Sequence, residues 1–166
     1  MQRLVRLGPE DAGEVLTLQR AAYVTEAQAH DDVHLPALRQ SLAELRAELV
    51  DPQVLALGWR DKDGRLLGAV RARTVLGAAV ADVGRLAVVP DRQGQGLGSR
   101  LLRAVEDSLP PVVQEMRLFT GERSHANLRL YARLGYHESH RTPTQAGYTI
   151  VHLRKERANN VGAHEK

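Results

Sequence analysis

Apolar positions along the chain change their period several times, and each change marks an element. Residues 2–7 alternate weakly, which predicts a first or edge strand. Gly8-Pro9-Glu10-Asp11 then opens a helix: proline suits the first helical position, and the two acids suit the positive end of the helix dipole. This helix is expected to run to about Tyr23, and a polar stretch over 24–36 follows it. From Pro36 onward Leu38, Leu42, Leu45 and Leu49 recur at spacings of four, three and four, the stripe of a single amphipathic helix that Asp51-Pro52 stops.

A block of short apolar runs comes next: 54–59, 66–75 and 79–89, separated by the turn signals Asp61-Lys62-Asp63-Gly64 and Leu76-Gly77. Two tight turns in a row predict an antiparallel meander. After Pro90 the chain becomes a glycine-rich loop, then a helix with Leu101, Leu102, Val105 and Leu109 on one face, ended by Pro110-Pro111. Residues 115–120 read as a strand, 124–134 as a helix stopped by Gly135, and about 136–141 and 147–154 as two last strands. Strands 79–89 and 115–120 are joined by a helical crossover and should be parallel, so the sheet is mixed. No internal repeat or linker breaks the pattern. The expectation is one mixed α/β domain over residues 1–155 and a C-terminal tail over 156–166.

The composition removes several function classes. With 166 residues, 43% hydrophobic and 26% charged, the chain can bury a core and is neither disordered nor collagen-like. It has no cysteine, which excludes disulfides, thiolate metal sites, iron–sulfur clusters and an acyl-cysteine intermediate. A net charge of +3, scattered along the chain, argues against a nucleic-acid partner. No apolar run reaches the ~20 residues of a membrane span. The first residues also lack a run of signal-peptide length, so a cytoplasmic protein without a membrane partner is expected. His30-Asp31-Asp32-Val33-His34 places two histidines at i and i+4. A zincin motif needs Glu after the first histidine, and Pro36 interrupts the helix, so no metal is expected.

Candidate chemistry concentrates in Gln93-Gly94-Gln95-Gly96-Leu97-Gly98, which follows a strand and opens a helix. Glycines there let backbone N–H groups approach an anion, and the helix start supplies unpaired donors. No lysine follows Gly98, so this is not a Walker loop, and Ser99 stands where a dinucleotide fingerprint needs its last glycine. Kinase motifs are missing. The surviving pattern is Q/R-x-x-G-x-G/A. The phrase from Gly84 to Gly98 resembles the central strand and pyrophosphate loop of the GNAT superfamily of acyl-CoA-dependent N-acyltransferases. Asn127-Leu128-Arg129-Leu130-Tyr131-Ala132-Arg133-Leu134-Gly135-Tyr136, about 30 residues later, resembles that family's later helix motif.

The resemblance spans roughly residues 2–155. It implies a mixed sheet of six to seven strands flanked by about four helices, and acetyl-CoA as acyl donor. It implies transfer of the acyl group to a primary amine of a small molecule or peptide by direct attack. The sequence agrees: it has neither a cysteine nor a G-x-S-x-G serine for a covalent acyl-enzyme. Carried over to matching positions, the cofactor contacts are Leu86, Ala87, Val88, Arg92, Gln93, Gly94, Gln95, Gly96, Leu97, Gly98, Ser99, Asn127 and Tyr131. The N–H of Val88 would hold the developing oxyanion, Tyr131 would protonate the leaving thiolate, and Asp82 would deprotonate the amine through water. Glu26, His30, Asp31 and Asp32 lie where relatives build the acceptor site and would favour a cationic amine. Relatives also pair through their last strands, which makes a homodimer an expectation. The other function class consistent with the loop is an acyl-CoA-binding sensor or assembly module of the same fold, without turnover.

Overall fold

The computed structural model describes residues 1–158. In chain order the elements are β1 (Arg3–Arg6), α1 (Ala12–His30), α2 (Pro36–Arg39), α3 (Leu42–Val50), β2 (Val54–Arg60), β3 (Leu66–Thr74), β4 (Val80–Val88), α4 (Leu97–Ser108), β5 (Glu115–Gly121), α5 (His125–Arg133), β6 (His137–Pro143) and β7 (Thr149–Glu156). The strands form one sheet in the order β1-β2-β3-β4-β5-β7-β6, antiparallel except for β4 beside β5. The seven strands and five helices match the expected mixed fold, with one more helix because the leucine stripe of 36–50 is broken.

That break has a local cause. Gln40 and Ser41 are extended, and Ser41 starts α3 with a capping box: its hydroxyl accepts the N–H of Glu44 at 3.1 Å while the Glu44 carboxylate accepts the N–H of Ser41. The freed Gln40 side chain enters a buried network around Arg71 of β3. The Arg71 guanidinium donates to Glu48 at 2.8 Å, Gln19 at 3.0 Å and Gln40 at 3.2 Å. Gln19 in turn donates to the carbonyl of Ala37 at 2.8 Å. The buried charge is thereby paired and hydrogen-bonded, and α1, α2 and α3 are tied to one point on the sheet.

Two apolar layers enclose the sheet. On one face Leu101, Leu102 and Val105 of α4 are fully buried against Val70, Ala72, Ala81 and Val83. On the other, Val15 and Leu18 of α1 and Leu45 of α3 cover Ala56, Leu67, Ala69 and Ala87. Each such leucine contributes about 1.5–3 kcal/mol. Val83 and Ala87 lie on opposite faces although they are four residues apart. The reason is a bulge in β4: β3 advances from Ala69 to Arg71 while β4 spans Gly84 to Ala87, one residue more, and Arg85 there takes φ +53°.

β4 and β5 pair at only three positions, Val80, Ala81 and Asp82 with Glu115, Met116 and Arg117. Beyond them the strands diverge, and the β4 edge from Val83 to Val88 has no strand beside it. The chain stays ordered past the expected domain end. Glu156 completes β7, and the Arg157 side chain donates to carbonyls at the end of α4. The remainder of the expected tail lies outside the described residues. Among the described residues no helix is long and apolar enough to cross a membrane.

Candidate active site

The glycine loop is held in place from the meander. Asp91 accepts two bonds from the Arg65 guanidinium, both 2.8 Å, which hold its carboxyl well below the usual range, at about 2. Gly94 (φ +76°) and Gly96 (φ +81°) occupy the left-handed region that a side chain disfavours. Gly98 does not; it lies close to Leu130 and Leu86. The first helical bond of α4 runs from the Arg100 N–H to the Gly96 carbonyl at 3.2 Å. The N–H groups of Leu97, Gly98 and Ser99 precede it and have no helical acceptor. These residues line a cleft of about 310 Å³ together with Arg92, Gln93, Leu86 and Val88, and with Asn127 and Arg133 of α5. Ala87 lines it too, whereas Gln95 does not.

The same cleft meets the free edge of β4. The Val89 N–H donates to the Leu67 carbonyl of β3 at 2.9 Å, so the N–H of Val88 points the other way, toward the gap left by β5. The Val88 carbonyl on that side accepts the Gln93 amide at 3.3 Å. Donors at the loop, guanidinium groups of Arg92 and Arg133, and an unpaired strand edge together suit a long, anionic thioester.

A second cavity of about 780 Å³ lies between α1, the diverging strands and the β6–β7 turn. Tyr23, Glu26 and Asn127 line both cavities and form the junction. Glu26 accepts the hydroxyl of Ser124 and the amide of Asn127, at 3.3 Å for the latter. Tyr131 lines the second cavity and is only 7% exposed. Its hydroxyl has no hydrogen-bond partner, and among the described residues no buried side-chain nitrogen or oxygen is left unpaired, so that oxygen opens into the cavity. Burial, reinforced by Tyr23 and Glu26, pushes its phenol well above the ordinary value. Tyr148 donates to Asp32 at 2.7 Å; burial and that bond push the phenol up to about 12, while the same bond first, then the His34 N–H, holds the Asp32 carboxyl down.

Of the residues expected at the acceptor side, Glu26 and Asp32 line the cavity. His30 lines it too, but its ring is buried and both nitrogens are occupied: Nδ1 donates to the Glu26 carbonyl at 2.9 Å and Nε2 accepts the Arg123 N–H at 3.0 Å. Asp31 stands outside the cavity, exposed, in the left-handed position that ends α1. Asp82 also lies outside both cavities. It lines a third one, of about 550 Å³, with His140 and His152, and Val83 and Phe119 border both this cavity and the second one. Tyr23, Arg85 and Tyr148 were not expected at the site. α1 runs seven residues past Tyr23, and the helical spacing of Leu16, Tyr23, Ala27 and His30 carries the signal for that extension.

A mixed sheet splayed around a glycine-loop cleft, with a second open cavity beside it, is an architecture suited to holding a nucleotide-linked ligand next to a second molecule. The family model of the GNAT acetyltransferases matches residues 15–136. The chain belongs to this family: it is an acyl-CoA-dependent acetyltransferase, and its donor is acetyl-CoA. The fold is similar to the ribosomal-protein-S18-alanine N-acetyltransferase of Escherichia coli, with TM-score 0.75, 20% identity, and 98% of this chain and 100% of that one covered. It is equally similar to the PaiA N-acetyltransferase of Thermoplasma acidophilum solved with coenzyme A, with TM-score 0.75, 19% identity and coverage of 95% and 99%. A spermidine N-acetyltransferase chimera of Vibrio cholerae and human sequences gives TM-score 0.71, 15% identity and coverage of 93% and 95%. No curated protein matches the chain in sequence.

Proposed function

We propose that this chain is a cytoplasmic N-acetyltransferase that passes the acetyl group directly to a primary amine of a small-molecule or peptide acceptor, with donor and acceptor bound together. One observation carries the reading: the cofactor cleft and the acceptor cavity meet at Glu26 and Asn127, beside an unpartnered Tyr131 hydroxyl. Acetyl-CoA supplies an activated acyl carbon and a thiolate leaving group. Leu97, Gly98 and Ser99 offer N–H groups to its phosphates, and Arg92 and Arg133 offer charge. The N–H of Val88 is the donor available to negative charge on the thioester oxygen. Tyr131 stays protonated at neutral pH and gives its proton to the thiolate. Glu26 takes the proton of the amine. It stands at the junction, whereas Asp82 faces the neighbouring cavity and is left out of this set.

The test is thermal unfolding with acetyl-CoA, CoA, ATP and NAD, followed by thiol release with a panel of amines. A ligand at ~100 times its dissociation constant adds roughly 2.7 kcal/mol of stability. The expected result is a shift with both CoA ligands alone and thiol release with at least one amine. Binding without release from any amine would overturn turnover in favour of a sensor. No shift would remove the cleft's assignment.

A further inference from the structure

We propose that the acceptor is an amine that carries a carboxylate close to it, as a free amino acid does, and that Arg85 is the residue that binds this carboxylate. The proposal rests on the direct-transfer reading above. Arg85 occupies the β4 bulge with φ +53°, one of only two non-glycine residues with positive φ among those described. Such a conformation is held against its own cost by surrounding structure and is characteristic of ligand clamps. The side chain it carries lines the acceptor cavity and not the cofactor cleft. Its charge is therefore not spent on phosphate.

Two sets of neighbouring arginines are already committed. Arg71 is enclosed by Glu48, Gln19 and Gln40, and Arg92 and Arg133 line the cofactor cleft. Among the described residues Arg85 forms no side-chain hydrogen bond or ion pair; the nearby Glu48 carboxylate feels its charge but is already bonded to Arg71 and Gln40. Arg39, exposed at the end of α2, adds a second guanidinium to the cavity rim, one without a hydrogen-bond or ion-pair partner among the described residues. Glu26 and Asp32 line the same cavity from α1 and the residues after it. The cavity is thus polar in a directed sense. Carboxylates lie on the α1 side, with Glu26 at the junction beside Tyr131, and guanidinium groups lie on the β4 and α2 sides. A zwitterion satisfies both ends, because its amine meets Glu26 and its carboxylate meets a planar fork of donors. A polyamine leaves Arg85 unpaired and places like charges together. The cavity volume of about 780 Å³ leaves room for a sizeable amino-acid side chain.

The experiment compares matched sets by thiol release: phenylalanine, methionine and glutamate, each beside its primary amide and its decarboxylated amine, with spermidine added. Calorimetric binding of the same compounds to the CoA-saturated protein is read in parallel. For at least one set the free acid is expected to exceed its amide and amine by about ten-fold or more in kcat/KM or affinity. Arg85→Gln is expected to bring that ratio close to one, and Arg85→Lys to keep part of it. The CoA-induced thermal shift of each variant shows that fold and cleft are intact. Amides or decarboxylated amines that bind and react as well as the acids would overturn the proposal. So would a preference for the acid that survives Arg85→Gln, or acids that neither bind nor react. Loss of the CoA shift in the unmodified protein overturns the parent reading instead.

Discussion

A β-carbon on Gly121 would overlap Nε2 of His30, so the imidazole fills the space that a side chain there would need. The ring is fixed in one neutral tautomer: Nδ1 donates to the Glu26 carbonyl and Nε2 accepts the Arg123 N–H. It joins the last turn of α1 to the corner between β5 and α5, and in that corner Ser124 donates to the Glu26 carboxylate. Gly121→Ala is therefore expected to cost about 1–3 kcal/mol by overpacking and to lower kcat by moving Glu26. Chemical denaturation and steady-state kinetics check both. An unchanged midpoint would show that the ring moves aside freely and does not set the corner.

Tyr131→Phe removes a hydroxyl and nothing else from the acceptor cavity. Affinity for CoA is expected to hold while kcat falls ten-fold or more, the scale of a lost general acid. Because burial raises the phenol above its ordinary value of 10.0, turnover by the unmodified enzyme should show no descending limb from this group up to pH 10. Unchanged kcat in Tyr131→Phe would remove the residue from the mechanism and leave the family membership untouched.

Much of this arrangement is readable in the sequence, and the remainder is not for definite reasons. The meander, the crossover and the glycine loop are legible because turn residues and the switch of apolar period are local signals. The end of α1 is only faintly legible: the spacing of Tyr23, Ala27 and His30 continues the buried stripe, but Glu26 and His30 are polar, and their partners lie far along the chain at Arg123, Ser124 and Asn127. The kink at Gln40 is masked because the leucine spacing runs on across it; its one local signal is the Ser41–Glu44 capping box, and the Arg71 network that fixes Gln40 is a tertiary fact. The β4 bulge has one weak local signature, Gly84 inside the strand; Arg85 is a poor left-handed residue, and the extra position shows only in the register against β3. The splay of β4 from β5 is likewise a tertiary fact, which is why Asp82 counts as a strand neighbour of the site in sequence and faces another cavity in space.

Burial raises the Tyr136 phenol strongly, and Glu106, which accepts its hydroxyl at 2.7 Å, adds to the rise. A phenol held protonated in the folded state stabilises fully below the unfolded value of 10.0 and progressively less as pH rises above it. Folding stability should accordingly drop between pH 9 and about 11, and Tyr136→Phe should lose less over the same interval. Denaturant midpoints at several alkaline pH values measure this. Equal slopes in the two proteins would assign the alkaline loss to other groups.

Arg157 lies beyond the last strand residue and closes the C-terminal end of α4. Its guanidinium donates to the carbonyls of Pro110 at 2.7 Å, Leu109 at 3.0 Å, Glu106 at 3.2 Å and Val113 at 3.4 Å, and its N–H donates to Gln114 at 2.7 Å. A cation at the negative end of a helix complements the dipole, and here it also gathers carbonyls of the last turn of α4 and of the loop that follows, two of which, Glu106 and Pro110, accept a backbone N–H as well. Arg157→Ala is expected to cost about 1–2 kcal/mol, seen as a fall of roughly 2–8 °C in Tm. Arg157→Lys should recover only part of this, because an ammonium cannot reach several carbonyls in one plane. The CoA-induced thermal shift should survive in both variants, since the cap sits at the opposite end of α4 from the glycine loop. A variant as stable as the parent would mean that water replaces the guanidinium at no cost, and the ordered domain would then end functionally at β7.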